Sequence, residues 1–326
     1  MSHNGIPYPS LPLDRELEAQ SAALIAQFPA QLTADMVPQM REILADMPDT
    51  IPELLAAAGL TQRDITIKGY EGVDLEVTVI ARADHKGKGP GLYHLHGGGM
   101  MVGHRRVGAP TFVPWVADHD AVLVTVDYRL APEFPDPYPV EDCYAGLVWT
   151  VEHADELGID PDRIVIVGQS AGGGLSAGTA LLARDRKGPR LLGQVLCYPM
   201  LDDRHETVSA DQCADGLIWS RTSSETAWDA YLGRQRENGN ISHYAAPSRA
   251  TDLSGLPPAY IDCGSNELFR DENIAYANAL WEAGVQTELH VWAGAFHGFD
   301  TIATDAAIVH AAHAARASWI ARVLGS

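Results

Sequence analysis

Apolar positions change rhythm along this chain, and the change divides it. Residues 13–28 and 35–47 space their apolar positions three and four apart, with proline-containing breaks between and after them. That spacing predicts two amphipathic helices. "DITIKGYEGVDLEVTVIA" (64–81) alternates apolar and polar positions around Gly69 and Gly72, which predicts an antiparallel hairpin. From residue 90 short, continuous apolar runs alternate with helical stretches: "GLYHL" then 108–119, "AVLVTVDY" then 139–156, "RIVIVG" then 171–186, and "LLGQVLCYP". After residue 252 the rhythm resumes with "PPAYIDCG" then 271–284, and "TELHVW" then 302–323. Runs apolar at consecutive positions are strands covered on both faces. The pattern therefore predicts an α/β protein with a mostly parallel central sheet and helices on both faces.

The interruption at 200–252 has helical stretches and no strand alternation. It is longer than the roughly 12–15 residues beyond which a loop usually has a role of its own. With the N-terminal helices it is expected to form a helical cap over the C-terminal edge of the sheet. The expected division is 1–50 (N-terminal part of the cap), 51–199 (first part of the core), 200–252 (cap insertion) and 253–326 (second part of the core).

Two glycine-rich stretches follow strands of this pattern. "RIVIVGQSAGGGLSAGTALLA" (163–183) carries G-x-S-x-G between a strand-like run and a helical one. In that context the serine sits on a turn so tight that side chains two positions to either side would collide, which exposes the Ser170 hydroxyl at the sheet edge. The following helix aims its N-terminus, with unpaired N–H groups and partial positive charge, at the same place. A non-catalytic glycine turn is the bland alternative. "YHLHGGGMMVG" (93–103) places Gly97, Gly98 and Gly99 at the end of another strand. Ordering three glycines is entropically costly, so bare backbone is needed there. Acyl transfer develops an oxyanion that requires N–H donors aimed at it. The expected donors are Gly98 and Gly99, joined by Ala171, with His96 stabilising the loop rather than acting as a base. A phosphate loop is the other reading of such glycines, but the G-K-[ST] ending is missing.

A base should follow the serine in chain order, after an acid. "VWAGAFHGFD" supplies His297 just past the last strand, and "AYIDCGSNELFRDE" offers Asp262, Glu267, Asp271 and Glu272 after the preceding one. Asp262 lies within the apolar run. Asp271 and Glu272 open a helix, where carboxylates complement the helix dipole. Glu267 falls in the loop between and is the expected acid. Asp300, three positions after the histidine, is a further rival.

Five motifs in this order, "HGGG" (96–99), "DYRLAPEFPDPYPVEDCYAGLVW" (127–149), "GQSAGGG" (168–174), "GSNELFRDE" (264–272) and "HGF" (297–299), resemble the hormone-sensitive-lipase-like branch of the α/β-hydrolases, the bacterial carboxylesterases. The resemblance spans about residues 60–323. It implies an α/β-hydrolase fold, a Ser170–Glu267–His297 triad, a cap made from the N-terminus and the insertion, and hydrolysis of small, short-acyl esters through an acyl-enzyme. It gives Arg129 of "YRLAPE" a structural place only. The chain departs from the family pattern at Gln169 and Glu267, where aspartate is common, and at Met100 and Met101, where an aromatic is frequent. The two methionines, with Trp219 and Leu217 of the insertion, are candidates for the substrate-pocket wall; packing in the core is the competing reading for the methionines, and packing of the cap on the sheet is that for Trp219, Leu217 and Trp228. An amidase or deacetylase using the same triad, and a non-catalytic binding protein on the same scaffold, are the alternative functions.

Charge narrows the partners. With 23 Lys and Arg against 43 Asp and Glu, the net charge of −20 argues against nucleic acid and anionic membranes. No apolar run approaches the roughly 18–20 residues of a membrane span, and the N-terminus lacks the pattern of a secretory signal. Cys143, Cys197, Cys213 and Cys263 are scattered without C-x-x-C spacing, and the 13 histidines form no metal-binding pair around a carboxylate. A cytoplasmic protein acting on a small ester without cofactor or metal is expected, and a homodimer is compatible with the sequence.

Overall fold

A computed structural model describes residues 8–26, 29–46 and 51–325. The expected helix ends at 27–28 and 47, and parts of the expected division at 1–7, 47–50 and 326, lie outside the described residues. The strands are β1 (Leu60–Lys68), β2 (Asp74–Arg82), β3 (Gly89–Leu95), β4 (Val122–Val126), β5 (Ile159–Gln169), β6 (Gly193–Cys197), β7 (Ala259–Gly264) and β8 (Thr287–Trp292). They form one sheet in the order β1-β2-β4-β3-β5-β6-β7-β8. Only β2 runs against its neighbours; it pairs antiparallel with β1 from Leu60↔Arg82 to Lys68↔Asp74, which is the expected hairpin. The pairs from β4 through β8 are parallel.

The helices are α1 (Arg15–Ile25), α2 (Val37–Asp46), α3 (Ile51–Ala57), α4 (Val113–His119), α5 (Tyr138–Glu152), α6 (Ala154–Leu157), α7 (Ala171–Asp185), α8 (Val208–Gln212), α9 (Arg221–Leu232), α10 (Arg234–Asn238), α11 (Arg270–Glu282), α12 (Phe299–Ile302) and α13 (Ala307–Leu324). Consecutive strand residues alternate between two cores. Tyr93, Val124, Ile166, Leu196 and Ile261 pack with α5, α7 and α11. Leu92, Leu123, Val165, Val167, Val195 and Tyr260 pack with α4 and α13. This double burial is why the strands read as continuous apolar runs.

Parallel register brings the strand ends to one edge. Leu95 is paired with Gly168, Gln169 with Cys197, and Gly264 with Trp292. The loops that leave this edge carry "HGGG", Ser170, Tyr198, Glu267 and His297. Such an edge is where ligands bind in open α/β sheets.

The segments outside the sheet make hydrogen bonds to these loops and to one another. Leu11 C=O accepts from Asn266 Nδ2 at 2.7 Å, Asp14 N–H donates to Gly294 C=O at 3.1 Å, and Leu32 N–H donates to Ser223 Oγ on α9 at 2.8 Å. On α2, Arg41 donates to the carbonyls of Met101 (2.8 Å) and Ala131 (2.7 Å). Arg129 bridges to the buried Asp142 carboxylate and to Tyr70 C=O, locking the "YRLAPE" loop to α5 and the hairpin region.

Candidate active site

Ser170 ends β5 and begins α7 with φ 56 and ψ −123. A non-glycine residue held in such a sparsely populated region costs about 1–3 kcal/mol. Its own backbone shows what holds it there: the N–H donates to Cys197 C=O at 2.9 Å, and the C=O accepts from Met200 N–H at 3.0 Å. The flanking glycines answer to close approach. A Cβ on Gly168 would lie 2.3 Å from Gly172 C=O, and one on Gly172 would lie 2.0 Å from Leu95 C=O. Backbone fills both places, so any side chain would force the strand and helix apart.

One chain of hydrogen bonds joins the three expected catalytic residues. Ser170 Oγ lies 2.9 Å from His297 Nε2, and His297 Nδ1 lies 3.2 Å from Glu267 Oε2. All three are buried. The imidazole stands edge-on to Tyr198 and Phe269, with centroids 4.9 and 5.2 Å away, and Trp219 lies at 6.4 Å. Burial pushes the Glu267 carboxyl above its ordinary range, and its bond to His297 opposes that rise.

The rival acids have other partners. Asp262 and Asp300 both pair with Arg316. Asp271 accepts from Ser209 N–H at 2.7 Å and pairs with Arg270. Glu272 is buried and accepts from the N–H groups of Leu201 (2.8 Å) and Asp202 (3.2 Å), so it anchors the start of the insertion as well as opening α11. Burial raises its carboxyl well above the usual range.

The glycine loop lies against the elbow: a Cβ on Gly97 would stand 3.0 Å from Gln169 C=O. Gly98 has φ +116 and Gly99 φ +63, conformations that L side chains rarely adopt. Among the described residues no backbone acceptor meets the N–H of Gly98, Gly99 or Ala171. His96 stacks on Tyr128 at 4.1 Å, and its Nδ1 lies 2.8 Å from Gly97 C=O. Burial lowers its pKa to about 4, so it is a neutral prop for the loop. Gln169 donates from Nε2 to Thr111 Oγ1 at 2.9 Å, tying the elbow to the segment before α4.

The pocket-wall expectations need correction. Met100 and Met101 have no exposed surface and belong to the α5–α7 core, which makes them packing residues. Met100 has φ 55, and this turns the chain back so that its C=O accepts from Ala131 N–H. Leu217 is 37% exposed. It lines a surface cavity of about 400 Å³ with Tyr8, Leu11, Cys213 and Asn266. Trp219 does sit by the site: its indole closes over Gly99, whose Cβ would be 2.6 Å from the ring. Sequence reasoning missed Tyr198 and Phe269, which have no motif to mark them and reach His297 through tertiary packing. Among the described residues no group of three or more His, Cys, Asp or Glu is arranged to hold a metal ion.

Sheet order, a strained serine at a strand-to-helix turn and a facing glycine loop define an α/β hydrolase. Comparison with known proteins gives the same class: residues 92–301 match the family described by the α/β hydrolase fold. The chain is 37% identical over 284 residues to carboxylesterase NlhH of Mycobacterium tuberculosis (strain ATCC 25618 / H37Rv), covering 85% of this chain and 86% of that protein. Among solved structures it is similar to a bacterial heroin esterase, with 38% identity and a TM-score of 0.85, covering 96% of this chain and 98% of that one. Esterase LipW from Mycobacterium marinum gives 31% identity and a TM-score of 0.87, with the same 96% and 98% coverage. The chain belongs to the hormone-sensitive-lipase-like family of α/β hydrolases. Among the described residues no helix is long and apolar enough to cross a membrane.

Proposed function

We propose that this protein is a serine carboxylesterase that hydrolyses small, short-acyl esters through an acyl-enzyme. The observation that carries the proposal is the hydrogen-bonded chain Ser170–His297–Glu267, set beside a glycine loop. His297 takes the Ser170 proton as Oγ attacks the ester carbonyl. The N–H groups of Gly98, Gly99 and Ala171 hold the oxyanion, and the N-terminus of α7 adds its partial positive charge. The alcohol leaves with the proton from His297. Water, deprotonated by the same imidazole, releases the acid. Glu267 fixes the imidazole orientation and stabilises the imidazolium. The related proteins named carboxylesterase and esterase support this reading. Residues 8–26 and 29–46 and the insertion act as a cap, and Trp219 is its wall above the oxyanion loop. The buried thiols of the four free cysteines suit a reducing cytoplasm, where we place the protein.

The test is hydrolysis of a series of p-nitrophenyl esters by wild type and Ser170→Ala. Wild type is expected to turn over short-acyl esters fastest. Ser170→Ala is expected to lose about 10⁶-fold in kcat, because such a triad acts as a unit. A folded variant that keeps more than about a hundredth of wild-type turnover removes Ser170 as nucleophile.

A further inference from the structure

Arg316 lies on α13 and is 1% exposed. Its Nε and Nη2 donate to the two carboxylate oxygens of Asp262 at 2.8 and 3.0 Å, a two-pronged pair. Its Nη1 pairs with Asp300. The other Asp300 oxygen accepts from Tyr198 Oη at 2.8 Å, and Asp262 also accepts from Trp292 Nε1 at 3.1 Å. Asp262 and Asp300 are buried as deeply as the arginine. Buried ion pairs are weak evidence for stability, since desolvation offsets much of their attraction. What distinguishes this one is where its ends lie.

Asp262 is on β7, five residues before Glu267. Asp300 is on α12, three residues after His297. Tyr198 follows β6; it packs edge-on against the His297 ring at 4.9 Å, and its N–H donates to Asp262 C=O at 2.6 Å. The preceding residue, Cys197, accepts the Ser170 N–H. Tyr198 also holds φ 37, a left-handed conformation uncommon for an aromatic residue. The network thus touches the chain beside each of the three triad residues, yet none of its side chains takes part in the Ser170–His297–Glu267 hydrogen bonds.

We propose that Tyr198, Asp300 and Arg316 are positioning residues that hold the His297 loop in register with the elbow and with the acid. Tyr198 fixes the lateral place of the imidazole. Asp300 fixes Tyr198. Arg316 ties Asp300 to the strand that delivers Glu267. This inference rests on the reading of Ser170 as the nucleophile. A displacement of about 1 Å at reacting atoms can cost 10²-fold in rate, so a partial loosening should cost about tenfold.

The experiment measures kcat and KM for p-nitrophenyl acetate in wild type, Tyr198→Phe, Asp300→Asn and the double variant. Active sites are counted with a chromogenic organophosphonate that labels the serine. Tyr198→Phe removes one hydroxyl and keeps the ring, so it remains informative if Asp300→Asn folds poorly. Each single variant is expected to lose about tenfold in kcat per labelled site with KM within about twofold. The double variant is expected to fall little below the singles, because the residues act through one linkage. Unchanged kcat per labelled site, even with a lowered melting temperature, would reduce the network to a structural brace and overturn the proposal. A wild-type protein that hydrolyses no ester overturns the esterase reading, and this proposal with it. An active wild type with unaltered variants overturns this proposal alone.

Discussion

Replacing Gly99 with alanine perturbs the proposed oxyanion loop at one defined point. The new Cβ would stand 2.6 Å from Trp219 Cη2, 3.0 Å from Cζ2 and 3.1 Å from Ala227 Cβ, where ordinary contact begins at 3.4 Å. The indole or the loop must therefore shift by about 0.8 Å. The φ of +63 adds a backbone cost of about 1–2 kcal/mol for an L side chain. Since Trp219 is buried in the same core cluster as Ala227 and Trp228, the loop is the part expected to yield, and with it the aim of the Gly99 N–H. Loss of one oxyanion donor costs about 10²–10³-fold in kcat. We expect Gly99→Ala to lose that much in p-nitrophenyl acetate hydrolysis while KM changes little. Two comparisons isolate the cause. Gly284 has φ +78, and a methyl added there would meet no atom within 4 Å, so Gly284→Ala should cost stability alone and leave kcat intact. Gly99→Ala combined with Trp219→Leu makes room for the methyl and should recover about tenfold of the loss, a coupling expected only of residues in contact. If Gly99→Ala keeps kcat within about threefold of wild type, the Gly99 N–H does not hold the oxyanion.

Two further outcomes follow from buried ionisable groups. Glu267→Gln should lose about 10⁴-fold in kcat, whereas Asp271→Asn, which loses the charge that pairs with Arg270 and one of the two oxygens that accept from Arg270 and Ser209, should lower the melting temperature more than the rate. Burial lowers the pKa of His205 from 6.5 to about 4, so the unfolded chain binds this proton more readily and stability falls as pH drops below about 6.5. At pH 5 that one histidine costs about 2 kcal/mol relative to neutral pH. His205→Gln should therefore lose less stability than wild type between pH 8 and 5, by about that amount in denaturant titrations; equal losses would refute a buried neutral His205. The raised carboxyls of Glu267 and Glu272 act in the opposite sense and cancel in this difference.

Local rules make the strands and the glycine-flanked turn at Ser170 legible, since both are written in consecutive residues. Features written in distant residues are not. The stretch 302–323 reads as one helix because "TIATDAAIV" has no glycine or proline to break it. In the structure α12 stops at Ile302, and α13 starts at Ala307, whose N–H is capped by the Glu16 carboxylate at 2.7 Å, from a helix 291 positions away. Met100 and Met101 follow the glycine loop and could face pocket or core. Both are fully buried in the α5–α7 core, and no residue pattern announces it. Arg316 lies in "HAAHAARASWIARV", where nothing in the neighbouring residues marks it as buried. Its burial depends on Asp262 and Asp300, which come together only through the sheet and the His297 loop.

The distribution of buried carboxylates explains why Glu267 is suited to its proposed role. Asp262 and Asp300 share Arg316, and Glu272 receives two backbone N–H groups. Among the described residues the only ion-pair partner of Glu267 is His297, which carries charge only when protonated. Burial pushes the Glu267 carboxyl above its ordinary range, and the bond to His297 opposes that rise. In the proposed mechanism His297 accepts the serine proton, and the carboxylate then gains a cation at 3.2 Å in a buried setting. The interaction is thus stronger as the imidazolium forms than before. Only such a difference lowers the barrier to the chemical step. An arginine beside Glu267 would satisfy the carboxylate equally in both states and forfeit that difference. The fold instead gives its buried arginine to Asp262 and Asp300, where it can hold the loop in place without competing for the acid.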